Sequence, residues 1–223
     1  SACRIRMSSA LCRNGKIWAS NVGSNFPTPV NETRAYWYQL DPTLAFPGSS
    51  LPAPNGMMLQ NGRLSGGIGV ALVTPSVAVN CAEDAVIGFS NGDATKYPEA
   101  SYVFRLGADA ISTTGPIRLL KAGETNYWKT LAGATAPWGL ASSSAVDPRD
   151  DASLWTLQQY AGTRVGAADA DSRWGTRWGR LGFSGTITDQ PDSLVVCLGS
   201  SAVFQVVASS SNGPLTYHWR KDL

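Results

Sequence analysis

The segment TPSVAVNCAEDAVIGFS, residues 74–90, has two counterparts, MSSALCRNGKIWASNVG at residues 7–23 and ASSSAVDPRDDASLWTLQQYA at residues 141–161. Each segment reads as a strand of small or β-branched residues, a polar turn, and a second strand with one bulky apolar residue. These bulky residues are Trp18, Ile87 and Trp155. A repeat of this kind cannot bury its apolar face alone, so we expect the three units to stack on one another.

Two further strands are predicted after each of the first two hairpins, which gives four short strands per repeat. They are predicted at residues 34–40, 57–63, 101–106 and 117–121. In the third repeat only residues 173–181 read as a strand after the hairpin. Four-stranded units are typical of β-propellers, whose rings hold roughly 4–8 blades. We therefore predict an all-β fold with three propeller-type blades, about residues 1–67, 68–136 and 137–183, as the last part of an incomplete propeller.

The composition of the chain excludes several functional classes. Hydrophobic residues make up 43% of the sequence and predict a genuine core, and the net charge is only +2. Nucleic-acid binding requires clustered Lys and Arg, so we expect no nucleic-acid partner. The nearest approach to a basic cluster is formed by Arg173, Arg177 and Arg180, which are interleaved with Trp174 and Trp178. No apolar run reaches the ~18 residues of a membrane span.

The four cysteines, Cys3, Cys12, Cys81 and Cys197, form no CxxC pair, and His218 is the single histidine. A zinc or redox motif is therefore not expected. Scattered cysteines, a low charge and many Ser, Thr and Asn residues predict a secreted or cell-surface protein, where disulfides persist. The sequence leaves the cysteine pairing open, and simple buried thiols are the alternative.

The composition changes near residue 184. Strands are predicted at residues 187–191, 194–197, 202–208 and 215–219, with Cys197 followed by Trp219. That order matches the first half of the Cys…Trp…Cys pattern of immunoglobulin-like sandwiches.

Two stretches resemble known families. ITDQPDSLVVCLGSSAVFQVVASSSNGPLTYHWRKDL resembles bacterial extracellular immunoglobulin-like modules, and AVDPRDDASLWTLQQYAG with RWGTRWGRL resembles the terminal blades of secreted bacterial propeller-like proteins. The resemblance implies that residues 184–223 are the N-terminal half of an immunoglobulin-like β-sandwich, which is incomplete. We expect either a fragment of a larger protein or completion of the sandwich by strand addition from a neighbouring chain.

The acidic turn of the third hairpin is the strongest candidate for a metal site. Asp147, Asp150 and Asp151 could supply hard oxygen ligands to Ca²⁺, which is the one cofactor that the sequence proposes. The alternative is that these residues form the turn itself, because Asp is a preferred turn residue that caps backbone amides. Asp169 and Asp171 form a weaker acidic pair in a nearby loop.

No catalytic residue is assigned, because the sequence contains no GxSxG, HExxH or Gly-rich phosphate loop. A glycosidase needs only two carboxylates, for which Glu99 and Glu124 are candidates. Aromatic residues could form a carbohydrate platform or pack between repeats. They are Trp37, Trp128, Trp138, Trp174 and Trp178.

The sequence therefore predicts a non-catalytic extracellular adhesion, matrix or appendage component. Its expected partners are other protein chains or extracellular polysaccharide, with self-assembly through open β edges. One alternative is part of an extracellular hydrolase whose active site lies on missing blades. The other is a filament subunit that is completed by strand addition from a neighbour.

Overall fold

The computed structural model describes residues 7–24, 32–42, 58–130, 138, 142–182, 185–210 and 217. Regular structure in these residues is β-strand, apart from a turn of 3-10 helix at Asp169–Asp171 and a 3-10 residue at Pro42. The prediction of an all-β protein is confirmed. The described part of the chain contains no helix that is long and apolar enough to span a bilayer. The chain divides into two compact units, Ser1–Leu181 and Gly182–Leu223.

The first repeat is an antiparallel meander, in which each strand pairs with the next. Its strands are β1 (Met7–Arg13), β2 (Lys16–Ser24), β3 (Thr33–Leu40) and β4 (Met58–Leu64). The turn between β1 and β2 places Asn14 and Gly15 at positive φ, 50° and 72°. Two successive positive φ values define the tight hairpin turn that Asn-Gly favours, so the turn predicted here is confirmed.

The second repeat is also a four-stranded meander, and the third repeat has three strands. Their strands are β5 (Ala71–Val79), β6 (Ala85–Gly92), β7 (Glu99–Arg105), β8 (Arg118–Lys121), β9 (Ser143–Val146), β10 (Leu154–Gly162) and β11 (Arg173–Leu181). The strand β11 has the predicted bounds. Within residues 142–182, no further strand pairs with β11.

The first two repeats share one eight-stranded sheet that curls into a half-barrel. They are joined by a single parallel pair, Thr33 with Ala71. The large side chains of both repeats meet in one core cluster on the concave face of this sheet. They include Trp18, Trp37, Leu72, Ile87, Phe89 and Val103. Propeller blades are separate sheets. Here the first two repeats are continuous in one sheet, and the face that carries Trp18 packs against the equivalent face that carries Ile87.

The sheet of the third repeat packs on the opposite face of the second repeat. Side chains alternate along a strand, so Val86 and Gly88 point away from the concave core that holds Ile87. Val86 packs with Leu154 of β10. Thr156 lies so close to Gly88 that a Cβ added to the glycine would meet Thr156 Oγ1 at 2.1 Å. The second repeat is therefore covered on both faces.

Equivalent residues of successive repeats contact one another. The Ser142 hydroxyl donates to the Thr74 carbonyl at 2.6 Å, and the hydroxyls of Ser76 and Ser144 lie 2.9 Å apart. The two residues of each pair are 68 positions apart in the chain. The expected stacking of the repeats is confirmed by these contacts.

In the smaller compact unit, β12 (Gly185–Asp189) pairs with β13 (Val207–Ser210). The strand predicted at residues 194–197 is wrong, and the strand predicted at 202–208 begins only at Val207. The side chains of Val195 and Leu198 are fully exposed. A run of β-branched residues gains little from an extended conformation without a surface to bury it, which explains the failed prediction.

Cys12, Cys81 and Cys197 are free and exposed, so the alternative of buried thiols is wrong for these three. Cys3, His218 and most of the strand predicted at residues 215–219 lie outside the described residues.

Candidate functional site

The three-stranded sheet of the third repeat has one face covered by the second repeat and another face with large exposed side chains. Along β10, Leu154, Thr156 and Gln158 are buried toward the second repeat. The alternate residues Trp155 and Leu157 point to the other side. Paired positions of β11 share that side, because directly opposite residues of an antiparallel pair point the same way. We name this open side the tryptophan face, and it comprises Trp155, Leu157, Trp174, Trp178 and Arg180.

Two indole rings form the centre of the tryptophan face. Trp155 and Trp178 stack with their ring centroids 5.0 Å apart and their planes inclined at 26°. Trp178 is 65% exposed and Trp174 is 54% exposed. Exposed aromatic area of this size is a feature of interaction surfaces in soluble proteins.

The first repeat contains the same arrangement in buried form. Trp18 and Trp37 stack with a centroid distance of 5.8 Å and an angle of 18°, and their exposures are 1% and 0%. In each repeat one indole lies on the second strand, and the other lies diagonally across on the third strand. The residue directly opposite the first indole is Gln39 in the first repeat and Arg180 in the third. Position and register therefore match, and the two pairs differ in whether the next repeat covers them.

The acidic turn lies beside the tryptophan face and is bonded to it. The Trp155 Nε1–H donates to Asp147 Oδ2 at 3.1 Å. Arg180 forms ion pairs with Asp150 at 2.7 Å and with Asp147 at 3.4 Å. Hydrogen bonds from Ser153 to Asp150, together with Arg180, lower the pKa of Asp150 to about 2. The backbone N–H of Arg149 is the main cause of the lowered pKa of Asp147.

Each of the three proposed calcium ligands accepts hydrogen bonds from protein donors or forms an ion pair with an arginine. Asp150 Oδ1 accepts the backbone N–H groups of Ala152 and Ser153, while its Oδ2 accepts the Ser153 hydroxyl and Arg180. Asp151 has a φ of 51° and pairs with Arg13 of the first hairpin.

Within the described ranges, no three His, Cys, Asp or Glu side chains are grouped so that they could hold a metal ion. The contacts around Asp150 support the alternative in which these residues cap the turn. In the loop of the weaker acidic pair, Asp171 Oδ2 likewise accepts the backbone N–H of Ala168 at 2.8 Å.

The two candidate catalytic carboxylates have different partners. Glu124 accepts hydrogen bonds from the Thr163 hydroxyl and backbone N–H, and it pairs with Lys121 at 2.9 Å. The contacts from Lys121 and then Thr163 lower the pKa of Glu124 to about 2. A general acid requires a raised pKa, so Glu124 is poorly suited to that role. Glu99 lies in an open cleft beside Lys96.

The structure separates the five tryptophans that were proposed as a platform. Trp37 belongs to the core, and Trp138 packs edge-on against Tyr127 with a centroid distance of 4.9 Å. Trp128 is 55% exposed, and its backbone is held by Ser172. Only Trp174 and Trp178 of this set share the tryptophan face.

Sequence reasoning missed Trp155 as a site residue, although it identified this residue as the bulky member of the third hairpin. The signal that could have found it is the diagonal Trp–Trp register of the first repeat. No family model matches this chain, and comparison with curated proteins and with solved structures gives no significant match.

Proposed function

We propose that this chain is a non-catalytic extracellular adhesion, matrix or appendage component that contacts other protein chains through the tryptophan face. The observation that carries the proposal is the repeated indole pair. Trp18 and Trp37 are stacked and buried, whereas in the pair Trp155 and Trp178, which is stacked in the same register, Trp178 is 65% exposed and Trp155 is half-buried.

The first repeat provides a precedent for what covers such a pair. The buried indoles share a core with aliphatic side chains of the second repeat, including Val77, Ile87 and Val103. Burying apolar area contributes about 25 cal/mol per Å². A protein sheet with a similar aliphatic or aromatic face therefore suits the tryptophan face.

A second copy of the chain is the occupant that we propose. A two-fold contact requires a surface that is complementary to itself. The tryptophan face meets this requirement, because it combines flat apolar rings with the neighbouring opposite charges of Arg180 and Asp150. The side chains of these two residues are 49% and 37% exposed, so both are accessible to a partner.

The proposal includes propeller-type repeats followed by the start of an immunoglobulin-like module. Consecutive antiparallel meanders support the blade as the repeating unit, and the β12–β13 pair supports the opening of a sandwich. In a closed ring, each blade packs one of its faces on the opposite face of the next blade. The like-face packing of the first two repeats therefore limits the propeller likeness to the single repeat.

Self-association tests the proposed contact. Light scattering should detect a concentration-dependent dimer of the wild-type chain, and Trp178→Ser should shift it to monomer. Leu119→Ser is the matched control, since Leu119 is also exposed but lies on β8, outside the tryptophan face. A wild-type chain that stays monomeric at high concentration would exclude this contact.

Strand addition is a second candidate, because β11 is an edge strand that pairs only with β10 within residues 142–182. Strand addition would give open-ended polymers, and these should still form in Trp178→Ser. Electron microscopy distinguishes such polymers from dimers. Retention of the chain on a polysaccharide matrix would instead favour a carbohydrate partner. Polysaccharide or ester turnover that is lost in Glu99→Gln or Glu124→Gln would favour the hydrolase.

A further inference from the structure

An open cleft lies between the β4–β5 connection and strands β6, β7 and β8, within the larger compact unit. Its volume is about 460 Å³, which falls in the range of small-molecule sites, roughly 300–1,000 Å³. The residues that line it come from both of the first two repeats. It is separate in sequence and in strands from the tryptophan face.

Asn91 is a buried polar residue of the cleft lining. The residue is 4% exposed, and its Nδ2 donates to Ser101 Oγ at 2.9 Å. Its Oδ1 has no hydrogen-bond partner among the described residues. This oxygen has almost no accessible surface, so Asn91 forms part of the buried wall of the cleft and does not present an acceptor to a ligand.

The charged groups of the cleft compensate each other but remain available to a ligand. Lys96 Nζ lies 3.8 Å from a carboxylate oxygen of Glu99 and 3.8 Å from one of Asp93. Both separations exceed hydrogen-bond length, so the ammonium donors and the carboxylate acceptors keep unused capacity. The lining contains one Lys and one Glu, and the Asp93 carboxylate beside Lys96 adds a negative charge that disfavours an anionic ligand.

Apolar side chains form another part of the same lining. Leu119 is 58% exposed and Ile117 is 39% exposed, and Val70 lies with them. A pyranose ring has the matching chemistry, because it carries C–H groups on its faces and hydroxyl groups around its rim. Carboxylate and ammonium groups such as those of Glu99 and Lys96 can each bond a ligand hydroxyl.

We infer that this cleft binds an uncharged, hydroxyl-rich ligand of monosaccharide size. Glu99 accepts from ligand hydroxyls, Lys96 donates to them, and Leu119 contacts the C–H face. The inference does not depend on self-association through the tryptophan face.

Saturation-transfer NMR with the full chain tests the inference, using D-glucose, D-galactose, D-mannose and N-acetyl-D-glucosamine as probes. At least one sugar should bind in the millimolar range. Glu99→Gln keeps the shape of the side chain but removes its charge, and it should weaken binding about tenfold or more, because hydrogen bonds to charged groups are the strong ones. Lys96→Met should also weaken binding.

Two variants serve as controls. Glu124→Gln makes the same chemical change outside the cleft, and Trp178→Ala removes a ring of the tryptophan face, so both should bind the sugar like the wild type. The inference is overturned if none of the four sugars binds. It is also overturned if binding survives both Glu99→Gln and Lys96→Met, or if it is lost in Trp178→Ala.

Discussion

Gly88 on β6 and Thr156 on β10 are in such close contact that the glycine cannot be replaced without moving the eight-stranded sheet and the sheet of the third repeat apart. A Cβ at residue 88 would lie 2.1 Å from Thr156 Oγ1 and 2.2 Å from Gln158 Nε2. Thr156 and Gln158 are themselves buried, with exposures of 1% and 0%, so they have little room to move.

Gly88→Ala should therefore destabilise the protein by about 1–3 kcal/mol or more, as overpacking does in other cores. The free energy of unfolding from urea titration measures the effect. Gly162→Ala is the matched control, because its new methyl group would have no neighbour closer than 3.7 Å. That variant should be neutral or slightly stabilised through reduced unfolded-state entropy. Equal effects of the two substitutions would contradict the close sheet contact.

The two indole pairs should respond differently to truncation. Trp37 is fully buried in the concave core, so Trp37→Ala should cost about 3–5 kcal/mol. Trp178 is 65% exposed, and Trp178→Ala should cost about 1 kcal/mol or less, chiefly through its lost stacking on Trp155.

Urea unfolding at a protein concentration low enough to keep the chain monomeric gives both values. A large loss of monomer stability in Trp178→Ala would mean that the ring is covered within the chain. The tryptophan face would then not be available to a partner.

The strands were largely predictable because their signals are local. Alternation and aromatic content place β11 at Arg173–Leu181, and Asn14-Gly15 specifies a hairpin turn. The single parallel pair of Thr33 and Ala71 has no local signal, yet it merges two repeats into one curled sheet. The strand predicted at residues 194–197 failed for the converse reason, since its local pattern has no tertiary surface to cover it.

The candidate sites were predictable only as residue types. Trp174 and Trp178 were identified as either platform or packing residues, and the choice depends on which face of the third repeat's sheet the second repeat covers. The cleft was not predictable, although Glu99 was proposed as a functional carboxylate. Asn91, Lys96 and Leu119 come from separate strands and loops, and only the meander of the second repeat brings them to one lining.

The ion pair of Glu124 with Lys121 predicts a specific pH dependence. The pKa of Glu124 falls from 4.5 to about 2 on folding, so the ionised carboxylate is the form that stabilises the fold. This contribution is fully present above about pH 4.5 and is lost as the pH falls toward about 2. Glu124→Gln should therefore flatten the loss of stability in that window.

Thermal unfolding at a series of pH values measures this slope. Lys121→Met removes the main partner of the carboxylate and should flatten the same window, which separates the ion pair from a general effect of charge. Glu32 and Asp150, whose pKa values are also lowered to about 2, keep part of the acid sensitivity in both variants. Unchanged slopes would show that the pair does not persist in solution.

Calcium distinguishes the two interpretations of the acidic turn. Asp150 uses both of its carboxylate oxygens to accept hydrogen bonds within the turn and from Arg180. A cation would have to displace these donors, and the positive charge of Arg180 would oppose it. We therefore expect no change in melting temperature at about 1 mM calcium, the range in which extracellular calcium modules bind.

Asp150→Ala makes this prediction sharper. The variant should melt at a lower temperature than the wild type, because the N–H groups of Ala152 and Ser153 lose their acceptor. The decrease should be the same with calcium and with a chelator. A calcium site would give a different pattern, since a ligand that binds only the folded state raises the melting temperature with its concentration. Stabilisation of the wild type by calcium that disappears in Asp150→Ala would establish Asp150 as a metal ligand and reject the cap.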